Sequence, residues 1–152
     1  MQTFNDVLRH GGIAPEEVRL VRHKDTQAPL RTLNPFTLWQ ANDGRFERYQ
    51  SIQVLEKFRV GDILASFVVT PAPENKTLFV GLWRVRRMAP APAGTIDPVH
   101  LTDAGGCNLY DLVPDSRLAE YRGQLFIEWG DAYRTWVQHA HRNEKRLLPN
   151  VE

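Results

Sequence analysis

Cysteine is nearly absent: Cys107 stands alone in 152 residues. No internal disulfide and no paired-cysteine metal site can therefore form, which agrees with a reducing compartment. Long apolar runs are missing as well. The longest, around 63–69 and 78–85, fall far short of the roughly 18–20 residues that cross a bilayer. The opening "MQTFNDVLRHGG" carries polar and acidic residues where a secretory leader would carry a basic start and an apolar run. These absences point to a cytoplasmic protein with no membrane partner. An excess of one charge is lacking too, since 19 Lys and Arg oppose 18 Asp and Glu for a net charge of +1. No global field draws nucleic acid, so any anion binding must come from charge gathered on one face. The sequence also holds no glycine-rich phosphate loop, no two-histidine metal helix and no catalytic motif. No cofactor and no resident metal is expected.

What is present describes one globular domain over residues 1–152. Hydrophobic residues make up 42% and charged residues 24%, a balance that can bury a single core. Residues 3–9 read as a short helix ended by Gly11-Gly12. "VRLVRH" (18–23) partly alternates as a half-buried strand does. Asn34-Pro35 is a cap with proline at the first helical position, opening "PFTLWQAN". Asp43-Gly44 breaks that helix, and a second runs from about Arg45 to Gln53 with Phe46, Tyr49 and Ile52 on one side. "ILASFVVT" and "KTLFVGLWRVRRM" are strands rich in branched and aromatic residues. Gly81, inside the second, suggests a bulge or a close backbone approach. Residues 89–106, rich in proline and glycine, read as an ordered loop or lid. "CNLYDLV" and "GQLFIEWG" are strand-like around a short helical "SRLAEY", while "YRTWVQHAHR" suits helix or strand. Five or six short strands with a few short helices make an α+β fold on a small curved or closed sheet.

Chemistry-bearing side chains offer few enzyme signals. His139 and His141 share a strand face but lack a third ligand nearby. Cys107 and His100 could pair as nucleophile and base, although a lone cysteine is more often buried and inert. The aromatics Trp39, Tyr49, Phe67, Trp83, Tyr110 and Trp129 all sit at or beside elements, where a ring serves a core readily. Flat rings beside amides and hydroxyls are also what a pocket needs to hold an extruded nucleobase. The stretch "RYQSIQ" (48–53) brings those groups together.

The order "DGRFERYQS", "FRVGDILASFVV", "LFVGLWRV" over about residues 43–87 resembles the EVE domain of the PUA-like superfamily. Tyr49-Gln50-Ser51 stands where that family has its helical "NYQA" segment. Val60-Gly61-Asp62 matches its "VGD" turn, and 80–85 its "VGIAEV" strand. The long insertion at 89–106 and the basic Arg84 depart from the pattern. Over nearly its whole length the chain also resembles the N-terminal region of bacterial proteins whose C-terminal half is a GIY-YIG nuclease. No GIY-YIG motif occurs here.

The resemblances imply a PUA-like curved β-barrel of five or six strands flanked by short helices. They also imply a DNA-recognition domain that reads a methylated or hydroxymethylated cytosine by base flipping and directs an attached or associated nuclease in modification-dependent restriction. On that reading Trp39, Tyr49, Phe67 and Trp83 supply ring contacts. Gln50, Ser51 and Gln53 hydrogen-bond the base edge or the backbone around it. Arg84, Arg86, Arg134, Arg142 and Lys145 contact phosphates, which position without specifying. An RNA-binding PUA-like module and a small cysteine-dependent enzyme are the alternatives.

Overall fold

The computed structural model of the chain describes residues 1–24, 33–53, 57–130 and 137–149. Its first element, α1 (Phe4–His10), starts where the sequence places it because Thr3 and Asp6 cap each other. The Thr3 hydroxyl accepts from the Asp6 N–H, and the Asp6 carboxylate accepts from the N–H groups of Thr3 and Gln2. Those donors hold the Asp6 carboxyl below its ordinary range. Two otherwise orphaned helix donors are thereby satisfied. The buried side of α1 is Phe4, Val7 and Leu8. A second reciprocal cap, Asn34 with Thr37, opens α2 (Pro35–Ala41). Helix α3 (Arg45–Ser51) lacks a side-chain cap and begins at Gly44, whose φ of 90° only glycine adopts cheaply.

The strands are β1 (Val18–His23), β2 (Ile52–Gln53), β3 (Ile63–Val69), β4 (Thr77–Pro90), β5 (Asn108–Asp115), β6 (Phe126–Ile127), β7 (Val137–His139) and β8 (Leu147–Leu148). Six of them form a curled half-barrel in the order β2-β5-β4-β3-β1-β7, and β6 bridges β4 to β8. The fold is α+β. β1 and β3 run parallel while the other pairings are antiparallel. A parallel pair needs a long crossover, and the connection between β1 and β3 carries α2 and α3. All seven residues of the central β3 are buried, as expected of a strand covered on both faces.

One face packs Phe4, Leu20, Phe67, Phe79, Leu82 and Trp129 beneath α1. Phe4 meets Phe67 edge-on at 5.1 Å between centroids and Phe79 at 5.4 Å. The opposite face packs Val68, Leu78, Val80 and Trp83 against Leu38 of α2 and Phe46 of α3. Two irregularities in β4 shape these faces. Ser66 pairs with Gly81 but Phe67 with Phe79, so Val80 is an extra residue. That shift resets the alternation, sending Leu82 to the first face and Trp83 to the second. Gly81, at φ 145°, supplies the required geometry, as its place in the strand suggests. Further along, Val85 pairs with Leu112 and Arg87 with Asp111, leaving Arg86 unpaired. Consecutive Arg86 and Arg87 are consequently both exposed.

Residues 2–5 are tied to residues 140–147. The Phe4 N–H donates to the Lys145 carbonyl at 2.8 Å and the Leu147 N–H to that of Gln2 at 2.9 Å, while the Asn5 amide donates to the Ala140 carbonyl at 2.8 Å. Elsewhere the elements are shorter than the sequence suggests. "SRLAEY" yields only a 3₁₀ turn at Ala119–Tyr121, entered through Leu118 at φ 60°. "GQLFIEWG" is regular strand at Phe126–Ile127, with further backbone bonds at Gly123, Leu125 and Glu128, and glycines 123 and 130 at its ends both take positive φ. Of "YRTWVQHAHR", residues 133–136 lie outside the described residues; Val137–His139 is strand and Ala140–Arg142 a 3₁₀ turn. Of the 89–106 stretch, Ala89 and Pro90 end β4 by pairing with Leu109 and Asn108, and 91–106 is a loop closed by pairing of Ala91 with Gly106 and Cys107 and of Thr95 with Ala104. Among the described residues no helix is long and apolar enough to cross a membrane.

Candidate functional site

Helix α3 divides "RYQSIQ" between two sides. Phe46, Tyr49, Gln50 and Gln53 follow the spacing of one helical stripe and turn inward. Gln50 and Gln53 are buried. The Gln50 Oε1 accepts from the Ser66 hydroxyl on β3 and from His23 Nε2 on β1, the latter at 2.9 Å. Gln53 donates its amide to the Gln50 carbonyl at 2.8 Å. The His23 ring lies 5.4 Å from both Phe46 and Tyr49, edge-on to each. Fully buried, His23 has its pKa pushed down to about 4 by desolvation, only partly offset by the Gln50 bond. It stays neutral with the proton on Nε2. The amides predicted to read a base are thus the latch that seats α3 on the sheet.

The other side of α3 opens onto a cleft of about 970 Å³. Glu47, Arg48, Ser51 and Ile52 form one wall, and β4 and β5 form the other through Arg87, Met88, Leu109, Tyr110 and Asp111. Thr95 and Ile96 of the proline-rich loop make the lip. Ile96 is 52% exposed, an uncommon position for a large apolar side chain at a cleft mouth. The interior surface is mostly apolar, from Ile52, Met88, Leu109 and Tyr110, with a few polar groups around it, as binding clefts commonly are.

Charge at the rim follows from the bulge in β4. Arg86 Nε donates to Asp111 at 2.8 Å and Arg87 reaches the same carboxylate at 3.4 Å. Bonding by Arg86, and then the charges of both arginines, hold the Asp111 carboxyl below its ordinary range. One carboxylate is shared by two guanidinium groups, so the rim keeps a positive surplus. Arg48 adds an exposed cation across the cleft.

The sequence-predicted residues scatter around this geometry. Ser51 lies in the cleft wall, its hydroxyl donating to the Glu47 carbonyl at 2.7 Å. Arg86 meets the rim through Asp111. Trp39 and Tyr49 are half-buried against the α2–α3 cluster, and Phe67 and Trp83 are core. None of the four rings lines the cleft. Arg84 is exposed beside Asp115 at 3.8 Å. Arg142 and Lys145 line a separate depression near β6 and β7, and Arg134 lies outside the described residues. Sequence reasoning missed Met88, Tyr110 and Ile96 as cleft groups. The helical period of α3 marks residues 47, 48, 51 and 52 as the side opposite its core stripe; no comparable signal marks Ile96.

The rival enzyme chemistry does not assemble here. His100 Nδ1 lies 3.1 Å from Asp97, and no contact among the described residues joins it to Cys107, which is half-buried. His139 and His141 stand 5.6 Å apart, with His139 Nδ1 2.7 Å from Arg19. Among the described residues no three His, Cys, Asp or Glu side chains converge as a metal site would require. Comparison with protein-family models, with curated proteins and with solved structures finds no match for this chain.

Proposed function

We propose that the chain is a PUA-like DNA-recognition module that takes an extruded, modified cytosine into the cleft between α3 and the β4–β5 edge. One observation carries this reading: a largely apolar cleft has Arg48 and Arg87 at its edge beside the carboxylates of Glu47 and Asp111, and Arg86 on Asp111 tips that balance to positive. Apolar walls suit the faces and the added methyl group of a modified base, and the exposed arginines suit phosphates beside it. Inside, the carboxylates of Glu47 and Asp111 suit the exocyclic amine of a cytosine edge, from which they can accept. A curled sheet carrying two short helices on one face is in keeping with a PUA-like barrel. On this reading the chain supplies recognition, and the cutting activity comes from an attached or associated nuclease.

The test is fluorescence anisotropy with short duplexes bearing unmodified, 5-methyl or 5-hydroxymethyl cytosine, beside an RNA of the same sequence. One modified duplex is expected to bind at least tenfold tighter than the unmodified one. Arg48→Ala and Arg87→Ala should each lower the slope of log affinity against log salt by about 0.9, the value of one phosphate contact. Met88→Glu, which puts a carboxylate on the cleft wall, should abolish the discrimination. Equal affinity for modified and unmodified duplexes at every salt concentration refutes base reading, and a preference for the RNA transfers the cleft to RNA.

A further inference from the structure

On the face of the sheet away from α3, a single tryptophan gathers charge that has no counterpart among the described residues. Trp129, 5% exposed, follows β6. Lys145 Nζ stands 4.5 Å from the centre of its ring and donates to the Trp129 carbonyl at 2.6 Å. Arg22 of β1 places its guanidinium carbon 5.8 Å from the same ring, with Nε donating to the Thr77 hydroxyl at 3.2 Å. Lys145 is 7% exposed and Arg22 half-buried. Cation–π attraction accounts for part of the arrangement. It does not neutralise the charge. Among the described residues no carboxylate pairs with either cation, and Glu128 nearby is already held by Arg146 at 2.8 Å.

Buried cations are ordinarily paired, because desolvation opposes the charged form. Both groups register that penalty. Burial lowers the pKa of each, and the Arg22 charge lowers that of Lys145 further. Trp129 adds a buried indole N–H that finds no acceptor among the described residues. Among the described residues the Lys145 ammonium makes one hydrogen bond, which engages one of its three N–H groups. Beside them opens a depression of about 450 Å³, which Trp129, Lys145, Gln138 and the exposed Arg142 help to line. Glu144 sits on its edge, as does Glu128. Two cations against one ring, and a polar hollow lined by one of them and by Arg142, describe a place made for an anion.

We infer that the Trp129–Lys145 depression binds a phosphate group. The site is separate from the α3 cleft and stands whether or not that cleft reads a base. A phosphate takes the Lys145 ammonium and the Arg142 guanidinium as donors of charge-assisted hydrogen bonds, and it supplies the negative charge that Arg22 and Lys145 lack. The same chemistry is offered by free inorganic phosphate and by the diester of a nucleic-acid backbone.

Thermal unfolding of the whole chain distinguishes the outcomes. It is followed in phosphate-free buffer with added inorganic phosphate or thymidylyl-thymidine, against sodium chloride of matched ionic strength. Saturable stabilisation by about 3 °C or more is expected with one of the probes. The response should vanish in Lys145→Met, which keeps the stem over Trp129 but removes the charge. That variant should also be no less stable than the parent without phosphate. Arg22→Gln should weaken phosphate binding about tenfold, and it carries the test if Lys145→Met does not fold. Response to inorganic phosphate alone assigns a free phosphate or monoester, and response to the dinucleotide assigns a backbone. No stabilisation beyond chloride by either probe overturns the inference, as does equal stabilisation of parent and variants.

Discussion

Lowering the pH from 7.5 to 4.5 isolates the buried His23–Gln50–Ser66 latch beneath α3. The unfolded chain protonates His23 near 6.5, whereas the folded protein holds it neutral down to about 4. Between those values the unfolded state binds more protons, so stability falls as the pH falls. The full difference is of the order of 3 kcal/mol, most of it lost by pH 4.5. The carboxylates of Asp6, Asp43, Asp111 and Asp115, all lowered by their partners, lose their contributions only as the pH falls below about 4. His139 is also lowered, first by burial and then by Arg19, but it is only partly buried and contributes less than His23. Urea unfolding at 25 °C in acetate and MES buffers, followed by tryptophan fluorescence, measures the effect as a shift of midpoint at constant slope. His23→Gln keeps a donor for the Gln50 oxygen and removes the titration, so its stability should be flat between pH 7 and 4.5. A parent protein equally stable at pH 7.5 and 4.5, or a variant with the parent's pH dependence, would show that the latch does not carry it.

Four other outcomes follow from the geometry. Gly81→Ala places a Cβ 3.2 Å from the Trp83 ring and 3.3 Å from Arg122 at a φ of 145°, and it should cost about 1–3 kcal/mol in urea unfolding. Phe67→Ala empties a fully buried position between Phe4, Phe79 and Trp129, for a loss of about 3–5 kcal/mol by the same measurement. Asn34→Ala removes the reciprocal cap of α2 and should cost about 1 kcal/mol. Asp111→Asn frees Arg86 and Arg87 at the rim; stability should hardly change, since solvent screens the pair, while affinity for unmodified duplex rises at low salt and the gain disappears at high salt.

Local signals carried the sequence reading a good distance. Thr3 and Gly11-Gly12 bracket α1, Asn34-Pro35 opens α2, and Gly81 marks the bulge, because caps, prolines and glycines act over a few residues. The long β4 was legible from its branched and aromatic run. How the polar groups of α3 divide, with Arg48 and Ser51 to the cleft and Gln50 and Gln53 to the core, is not legible in the sequence. The helical period shows that a stripe exists, yet an amide enters the core only if partners await it, and Gln50 finds them on strands 27 and 16 residues away. Ile52, expected beside Phe46 and Tyr49, instead lines the cleft because the helix gives way to β2 there. Likewise, nothing near Lys145 in the sequence announces Arg22, and a surface lysine expected to meet phosphates turns out to be buried over an indole.

The bonds that fasten residues 2–5 to residues 140–147 make the folded domain almost an endless loop. In such an object the point at which the chain is cut matters less than which strands lie side by side. A permuted version, joined by a short linker across that seam and reopened in the exposed 71–76 turn, would retain every strand neighbour that the present chain has.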